Sequence, residues 1–290
     1  MRRIARTRTA ARTTSPAGGP HRSWLQVSCS LFADHEGALY VPWKRLSAAL
    51  EHWRGERRFE LCFFLRKPPG LRLRFHGEEL GERLEPELVT LLDAAERAND
   101  VRGFRFGIYE PESFRFGGPA GMAIAHDLFD RDSCTTVTYE TLAEADRRGL
   151  PRDLFSLFLT NDLFARSLDD RAEIWDVWQH LGLTLGAPTP TPNISARACA
   201  RAREAVTLAS TFKDGLCAAA TELLDRASKH NEHVAQRLRA VNSAGRLTVG
   251  LRAWLTAATV FHWNRLALTN ADLGTMVATM VRLSCPHDPI

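Results

Sequence analysis

The spacing of apolar residues switches between two periods over residues 24–110. Residues 24–32 (WLQVSCSLF) alternate apolar with small or polar side chains, which predicts a half-buried strand. Residues 43–54 (WKRLSAALEHWR) carry Trp43, Leu46, Leu50 and Trp53 at helical spacing. Two strands follow, FELCFFLR (59–66) and LRLRF (71–75), separated by a hairpin-length break at Lys67–Gly70. A helix is predicted over 83–98, with Leu84, Leu88, Leu91, Leu92 and Ala95 on one stripe, and FRFGIYE (104–110) closes the series as a strand. The order β-α-β-β-α-β is the split βαβ arrangement of a ferredoxin-like unit, an antiparallel sheet with both helices on one face.

Alternation also sorts the two faces of that sheet. Leu71, Leu73 and Phe75 share one side of their strand, and Arg72 and Arg74 share the other. Gln26, Ser28 and Ser30 oppose Leu25, Val27, Cys29 and Leu31, while Arg105 and Tyr109 oppose Phe104, Phe106 and Ile108. The first and third strands are central in this topology, so arginines and small hydroxyls sit at the middle of the face the helices leave free. That face is either a solvated surface or a ligand platform. After Pro111 the strand signal stops. Pro119 suits the first turn of a helix over 119–131. Amphipathic runs follow at about 138–148, 151–166, 170–183, 196–225, 228–241, 246–266 and 270–284, with a Gly/Pro/Thr linker or long loop at 186–192. The expected fold class is α+β: a ferredoxin-like βαββαβ unit over 23–112, then a mostly helical half over 113–290 packed against it and completing the same body.

Composition refines this picture at the N-terminus. Of 38 basic residues, six arginines (Arg2, Arg3, Arg6, Arg8, Arg12, Arg22) lie in residues 1–22, which hold no acid. The other 268 residues carry 32 basic against 34 acidic groups, a balance of −2. A body so close to neutral is not expected to bind nucleic acid on charge grounds. The leader lacks the apolar core of a secretory signal, and Pro16, Gly18, Gly19 and Pro20 interrupt any amphipathic helix, so 1–22 reads as a disordered basic tail. No window approaches a membrane-spanning length of apolar residues. Cys29, Cys62, Cys134, Cys199, Cys217 and Cys285 include no CxxC pair and read as reduced thiols of a cytoplasmic protein.

Two segments could carry chemistry. Tyr109-Glu110-Pro111-Glu112-Ser113-Phe114-Arg115-Phe116-Gly117-Gly118-Pro119 leaves a strand and presents two acids and an arginine before a glycine pair and a helix start. The glycines permit close backbone approach or positive φ, and the helix N–H groups form an electropositive mouth. An acid–arginine turn network at a domain junction accounts for the tract equally well. In Phe261-His262-Trp263-Asn264-Arg265, His262 and Arg265 share a helix face, and the guanidinium disfavours the imidazolium. A structural helix histidine is the competing reading. No GxGxxG, Walker loop, GxSxG, HExxH or paired-aspartate metal motif occurs, so no metal and no cofactor is expected.

Trp24, the FELCFFLRK and LRLRF strands, YEPESFRFGGPAGMAIAHDLFDRDS (109–133) and HWNRL (262–266) resemble the C-terminal domain of lantibiotic dehydratases. That family also occurs as stand-alone thiopeptide-type biosynthesis proteins. The resemblance runs from about residue 24 to 283 and is most specific over Tyr109–Ser133. It implies tailoring of a ribosomal precursor peptide, in one of two branches. Eliminases remove glutamate from glutamylated Ser or Thr. Pyridine synthases join two dehydroalanines by a formal [4+2] aza-cycloaddition, lose water and expel the leader peptide.

Family eliminases carry arginines in the LRLR strand and in the YEPExxRYGG tract, and a histidine four residues before the late Asn-Arg pair. The arginines correspond to Arg72 or Arg74, and to Arg115; the histidine position is Val260, with His262 two residues before Asn264. Valine cannot take an α-proton, so this departure favours the cyclase branch. Phe116 replaces the usual tyrosine. The resemblance thus implies Arg72, Arg74, Tyr109 and Arg115 as carbonyl-polarising catalytic groups and His262 as proton shuttle, with Glu112 as an alternative shuttle. Gln26, Ser28, Arg66, Glu110, Glu112, Phe116, Gly117, Gly118, Asn264 and Arg265 are expected to bind substrate. The partner implied is the precursor peptide, leader plus dehydrated core, its leader in a groove near the ferredoxin-like unit. Homodimerisation is left open, and a non-catalytic peptide-binding scaffold is the third reading.

Overall fold

The computed structural model describes residues 23–33, 39–186, 199–200, 202–203, 206 and 213–286. The tail over 1–22, the 187–192 part of the linker and much of 193–212 lie outside the described residues. The first half runs β1 (Trp24–Ser30), α1 (Trp43–Gly55), β2 (Leu61–Lys67), β3 (Gly70–His76), α2 (Leu80–Arg83), α3 (Glu85–Arg97) and β4 (Gly103–Gly107). The strands pair antiparallel in the order β2-β3-β1-β4, with β1 and β3 central. One sheet face buries Val27, Phe64, Leu73 and Phe75 against Leu46 and Trp53 of α1 and Leu88 and Leu92 of α3. Each such side chain contributes about 1.5–3 kcal/mol when removed from water.

The second half is helical: α4 (Pro119–Thr141), α5 (Glu144–Gly149), α6 (Arg152–Ser167), α7 (Arg171–Thr184), α8 (Ala218–Ser243), α9 (Leu251–Leu266) and α10 (Asn270–Ser284). α4 extends well past residue 131 and absorbs the start of the run expected at 138–148; extended backbone at Leu142 and Ala143 ends it before α5. The 228–241 run is part of a single long helix that begins at Ala218, where the Cys217 side chain accepts from the Ala220 N–H.

The sheet's other face is only partly free, which is where the structure departs from a bare ferredoxin-like unit. α4 and α9 pack over β2, an edge strand. The outward N–H groups of β2 are capped by side chains of those helices: Cys62 donates to Asp130 Oδ1 (2.8 Å), Phe64 to Ser133 Oγ (3.2 Å) and Arg66 to Asn264 Oδ1 (2.9 Å). Asn264 Nδ2 donates back to the Arg66 carbonyl at 2.8 Å, so its carboxamide imitates a neighbouring strand. These caps close an edge that would otherwise be open to pairing and anchor the helical half to the sheet. Asn264→Ala removes both bonds and is expected to cost about 1–2 kcal/mol. Urea unfolding checks this; an unchanged midpoint would show that the clamp does not hold the two halves together.

Candidate active site

The middle of the second face is built from two cross-strand rows, Phe63–Arg74–Gln26–Gly107 and Leu65–Arg72–Ser28–Arg105. Arg74 is 9% exposed. Its Nε donates to Gln26 Oε1 (2.8 Å), and Gln26 Nε2 donates to the Ile108 carbonyl (3.1 Å), tying the arginine to the chain just beyond β4. The guanidinium lies over the Tyr109 ring at 4.3 Å and within 5.4 Å of the Phe63 ring. Tyr109 Oη is 2.7 Å from Nε2 of His126, two turns into α4. Trp24 (4.6 Å) and Phe63 (5.9 Å) flank the same imidazole.

Burial sets the charge states of this cluster. It pushes the Tyr109 phenol up to about 12, against the opposing effect of Arg74, and lowers the Arg74 guanidinium, with Tyr109 opposing. Burial, then the charges of His76 and Arg74, lower His126 to about 4. Near neutral pH the phenol keeps its proton and His126 is a neutral acceptor, which assigns the ring proton to Nδ1. A proton donor and a proton acceptor are therefore in contact beside a buried cation. Glu112 and Arg115 pair at 3.3 Å on the exposed tract, and Glu112 is close enough to act electrostatically on both Arg74 and Tyr109.

The lowered His126 value has a definite pH signature. Protonation is resisted in the fold but not in the unfolded chain, so the contribution to stability is complete above about 6.5 and is lost as pH falls towards 4. If neutral His126 accepts a proton in turnover, the acid limb of the rate profile lies near pH 4 rather than 6.5. A pH–rate profile, with parallel circular dichroism to separate unfolding from titration, checks it.

Other expected site residues lie elsewhere. Arg72 and Ser28 are half-buried in the second row beside the cluster, and Glu110 is exposed. Phe116 is fully buried against Phe129, Trp254 and Phe261. Gly117 and Gly118 do adopt positive φ (74° and 94°), but Leu247 and Val249 occupy the space beside Gly117, and its carbonyl accepts from Thr248. Gly117 is thus packed against the segment before α9, while among the described residues only the Thr248 side chain lies near Gly118, at 3.9 Å. Arg66 and Asn264 form the strand clamp, and Arg66 Nε also donates to the Arg265 carbonyl.

His262 does not face the arginines of the sheet. Its Nδ1 is 2.7 Å from Asp132 Oδ1 and its Nε2 is 3.1 Å from Ser156 Oγ, while Arg265 Nε donates to Asp132 Oδ2 at 2.5 Å. Burial alone would raise the Asp132 carboxyl, but His262 and Arg265 outweigh it and hold the group well below the usual carboxylate range. Ser156, His262 and Asp132 have the spacing of a nucleophilic triad, yet Ser156 is fully buried, which keeps its hydroxyl from a substrate. Spacing alone separates the two histidine positions: at about 100° per residue, 262 lies some 200° around the helix from 260. His126 belongs to no motif in the sequence; its one signal is its place in the tract that follows Tyr109.

No helix among the described residues is long and apolar enough to cross a membrane. A search of curated proteins finds no match. Among solved structures, the chain is similar to the tRNA-dependent lantibiotic dehydratase MibB from Microbispora sp. 107891, at 20% identity and a TM-score of 0.66. That likeness covers 93% of this chain and 28% of MibB, so this chain spans under a third of that protein's length, and at such identity it is a likeness of fold. TsrL is similar at 17% identity and a TM-score of 0.47, over 89% of this chain and 93% of TsrL. The family model for the lantibiotic biosynthesis dehydratase C-terminal domain matches residues 30–282, and the chain belongs to that family.

Proposed function

We propose that this chain is a cofactor-independent, peptide-modifying cyclase that forms a six-membered nitrogen ring from two dehydroalanines of a ribosomal precursor peptide. The observation that carries the reading is the Arg74–Tyr109–His126 cluster, set on the arginine-bearing strand, together with valine at 260 in place of the eliminase histidine. In this reading Arg74 and the Tyr109 hydroxyl hold the amide oxygen next to the first dehydroalanine. His126 and Tyr109 relay the proton from the amide nitrogen to that oxygen, giving the imidic tautomer whose C=C–N=C system is an azadiene. Addition to the second alkene consumes three π bonds, forms two C–C bonds and leaves one C=N bond. The former amide oxygen then departs as water and the leader as a carboxamide. Holding both alkenes of one flexible peptide in register supplies up to roughly 7–11 kcal/mol of the barrier reduction.

His126 also favours a second reading. It offers an imidazole beside Arg74 that could take the α-proton in a glutamate elimination, a role Val260 cannot fill. One assay divides the readings. Purified protein is given a leader-bearing peptide with two dehydroalanines and, separately, a glutamylated peptide, and masses are followed without added cofactor. Water loss with release of the leader carboxamide is the result expected. Loss of glutamate alone would establish the eliminase, and binding without any mass change would leave only a scaffold.

A further inference from the structure

A second polar cavity lies across α4 from the sheet-face cluster. At about 100° per residue, Leu128, Arg131, Asp132 and Thr135 occupy the side of α4 roughly opposite His126. With residues of α6, α8 and α9 they line a cavity of about 40 Å³, where a single water needs roughly 10–15 Å³. Arg265 lines this cavity and is 0% exposed. Its Nε is taken by Asp132, but Nη1 and Nη2 have no hydrogen-bond partner among the described residues. His230 lines the same cavity, and its Nε2 is likewise buried and unpartnered. Buried donors left unmade are costly, and the unpartnered outer edge of a guanidinium matches the two oxygens of a carboxylate.

A groove adjoins the cavity. Arg131, Thr135, Ala227 and His230 also line a groove of about 540 Å³ between α1, α4 and α8. Together cavity and groove present Arg54, Arg131, Arg226, Lys229 and Arg265 against Glu51 and Asp132. Asp130 offsets Arg54 and Arg131, and both Asp132 oxygens are already engaged by His262 and Arg265, so the uncommitted charge is positive. Lys229 and His230 lie three and four residues after Arg226, and His233 lies four and three residues after them, so all four share the groove face of α8.

We propose that this cavity and groove form a carboxylate-binding site separate from the Arg74 cluster. The ligand's carboxylate sits on Nη1 and Nη2 of Arg265 with His230 beside it, and the rest of the ligand lies along the basic groove. The carboxylate belongs either to a free small acid or to an acidic side chain of a peptide. The assignment does not depend on the chemistry at Arg74, because the test reads binding and not turnover.

Calorimetry and thermal melting of the full chain test it with acetate, L-glutamate and a Glu-rich tetrapeptide, against acetamide, L-glutamine and matched sodium chloride. Carboxylates are expected to bind and raise the melting temperature while the amides do not. Arg265→Lys keeps a cation for Asp132 but loses the fork, and weakens every carboxylate by about tenfold or more. The exposed double change Arg226→Ala/Lys229→Ala weakens the peptide alone. Binding of acetate and glutamate without the peptide identifies a small acid as the source; preferential binding of the tetrapeptide identifies an acidic side chain. Should Arg265→Lys not fold, the wild-type arginine side-chain NMR resonances still report whether carboxylate reaches a buried guanidinium. Equal responses to acetate and chloride, or carboxylate affinity unchanged in Arg265→Lys, would overturn the assignment.

Discussion

Arg74→Met is expected to slow ring formation by about 100- to 1,000-fold, the loss typical of removing one preorganised donor from a site where charge develops. Arg74 sits in the centre of the sheet, nearly buried, held at Nε by Gln26 and stacked over Tyr109, so its guanidinium does not need to reorganise when substrate arrives. Methionine fills the aliphatic volume and leaves Gln26 with its bond to the Ile108 carbonyl, so the fold survives the change. Burial already lowers this guanidinium, so the protein gains little by keeping it charged for stability alone. Single-turnover rates, with unfolding midpoints as the control, measure the effect. A variant within threefold of wild type would place the chemistry elsewhere.

Asp132→Leu has the largest expected effect on stability, about 3–5 kcal/mol, because it strips the counter-charge from a fully buried arginine. His262 loses its Nδ1 partner in the same step, and α4 loses one of its links to α9. Asp132→Asn, which keeps hydrogen-bonding capacity, should lose less. The carboxyl is depressed in the fold, so its contribution is present above the unfolded value near 4 and is lost as pH falls below it. Denaturant titration of the three proteins at neutral pH checks the ranking; equal stability of all three would mean that the network is dispensable.

The sheet was readable from the sequence because a period of two is unambiguous when arginines alternate with leucines, as they do from Leu71 to Phe75. The same alternation put Gln26, Ser28, Arg72 and Arg74 on one face, and the strand register brings them together there. That α4 and α9 cover part of this face was harder to foresee. Its signal was the run Leu61–Leu65, apolar on both sides, which is the pattern of a strand buried on two faces. Helix boundaries after residue 119 were less legible, since α4 buries residues around most of its circumference and carries no single stripe. The surroundings of the two imidazoles were illegible for a related reason. His262 gains its apparent importance from nearness in sequence to Asn264 and Arg265, whereas helical geometry sends Asn264 to β2 and His262 to Asp132. His126 joins Tyr109 only through the packing of α4 on the sheet, a contact that no local pattern announces.

On the proposed mechanism the peptide reacts at the Arg74–Tyr109–His126 cluster and not at the buried His262 network. The most direct measurement is the single-turnover rate of His126→Gln beside that of His262→Gln, both taken well below their unfolding temperatures. A loss of about 100-fold or more for His126→Gln, with His262→Gln within threefold of wild type once folded, is the predicted result. The reverse ranking would contradict the account.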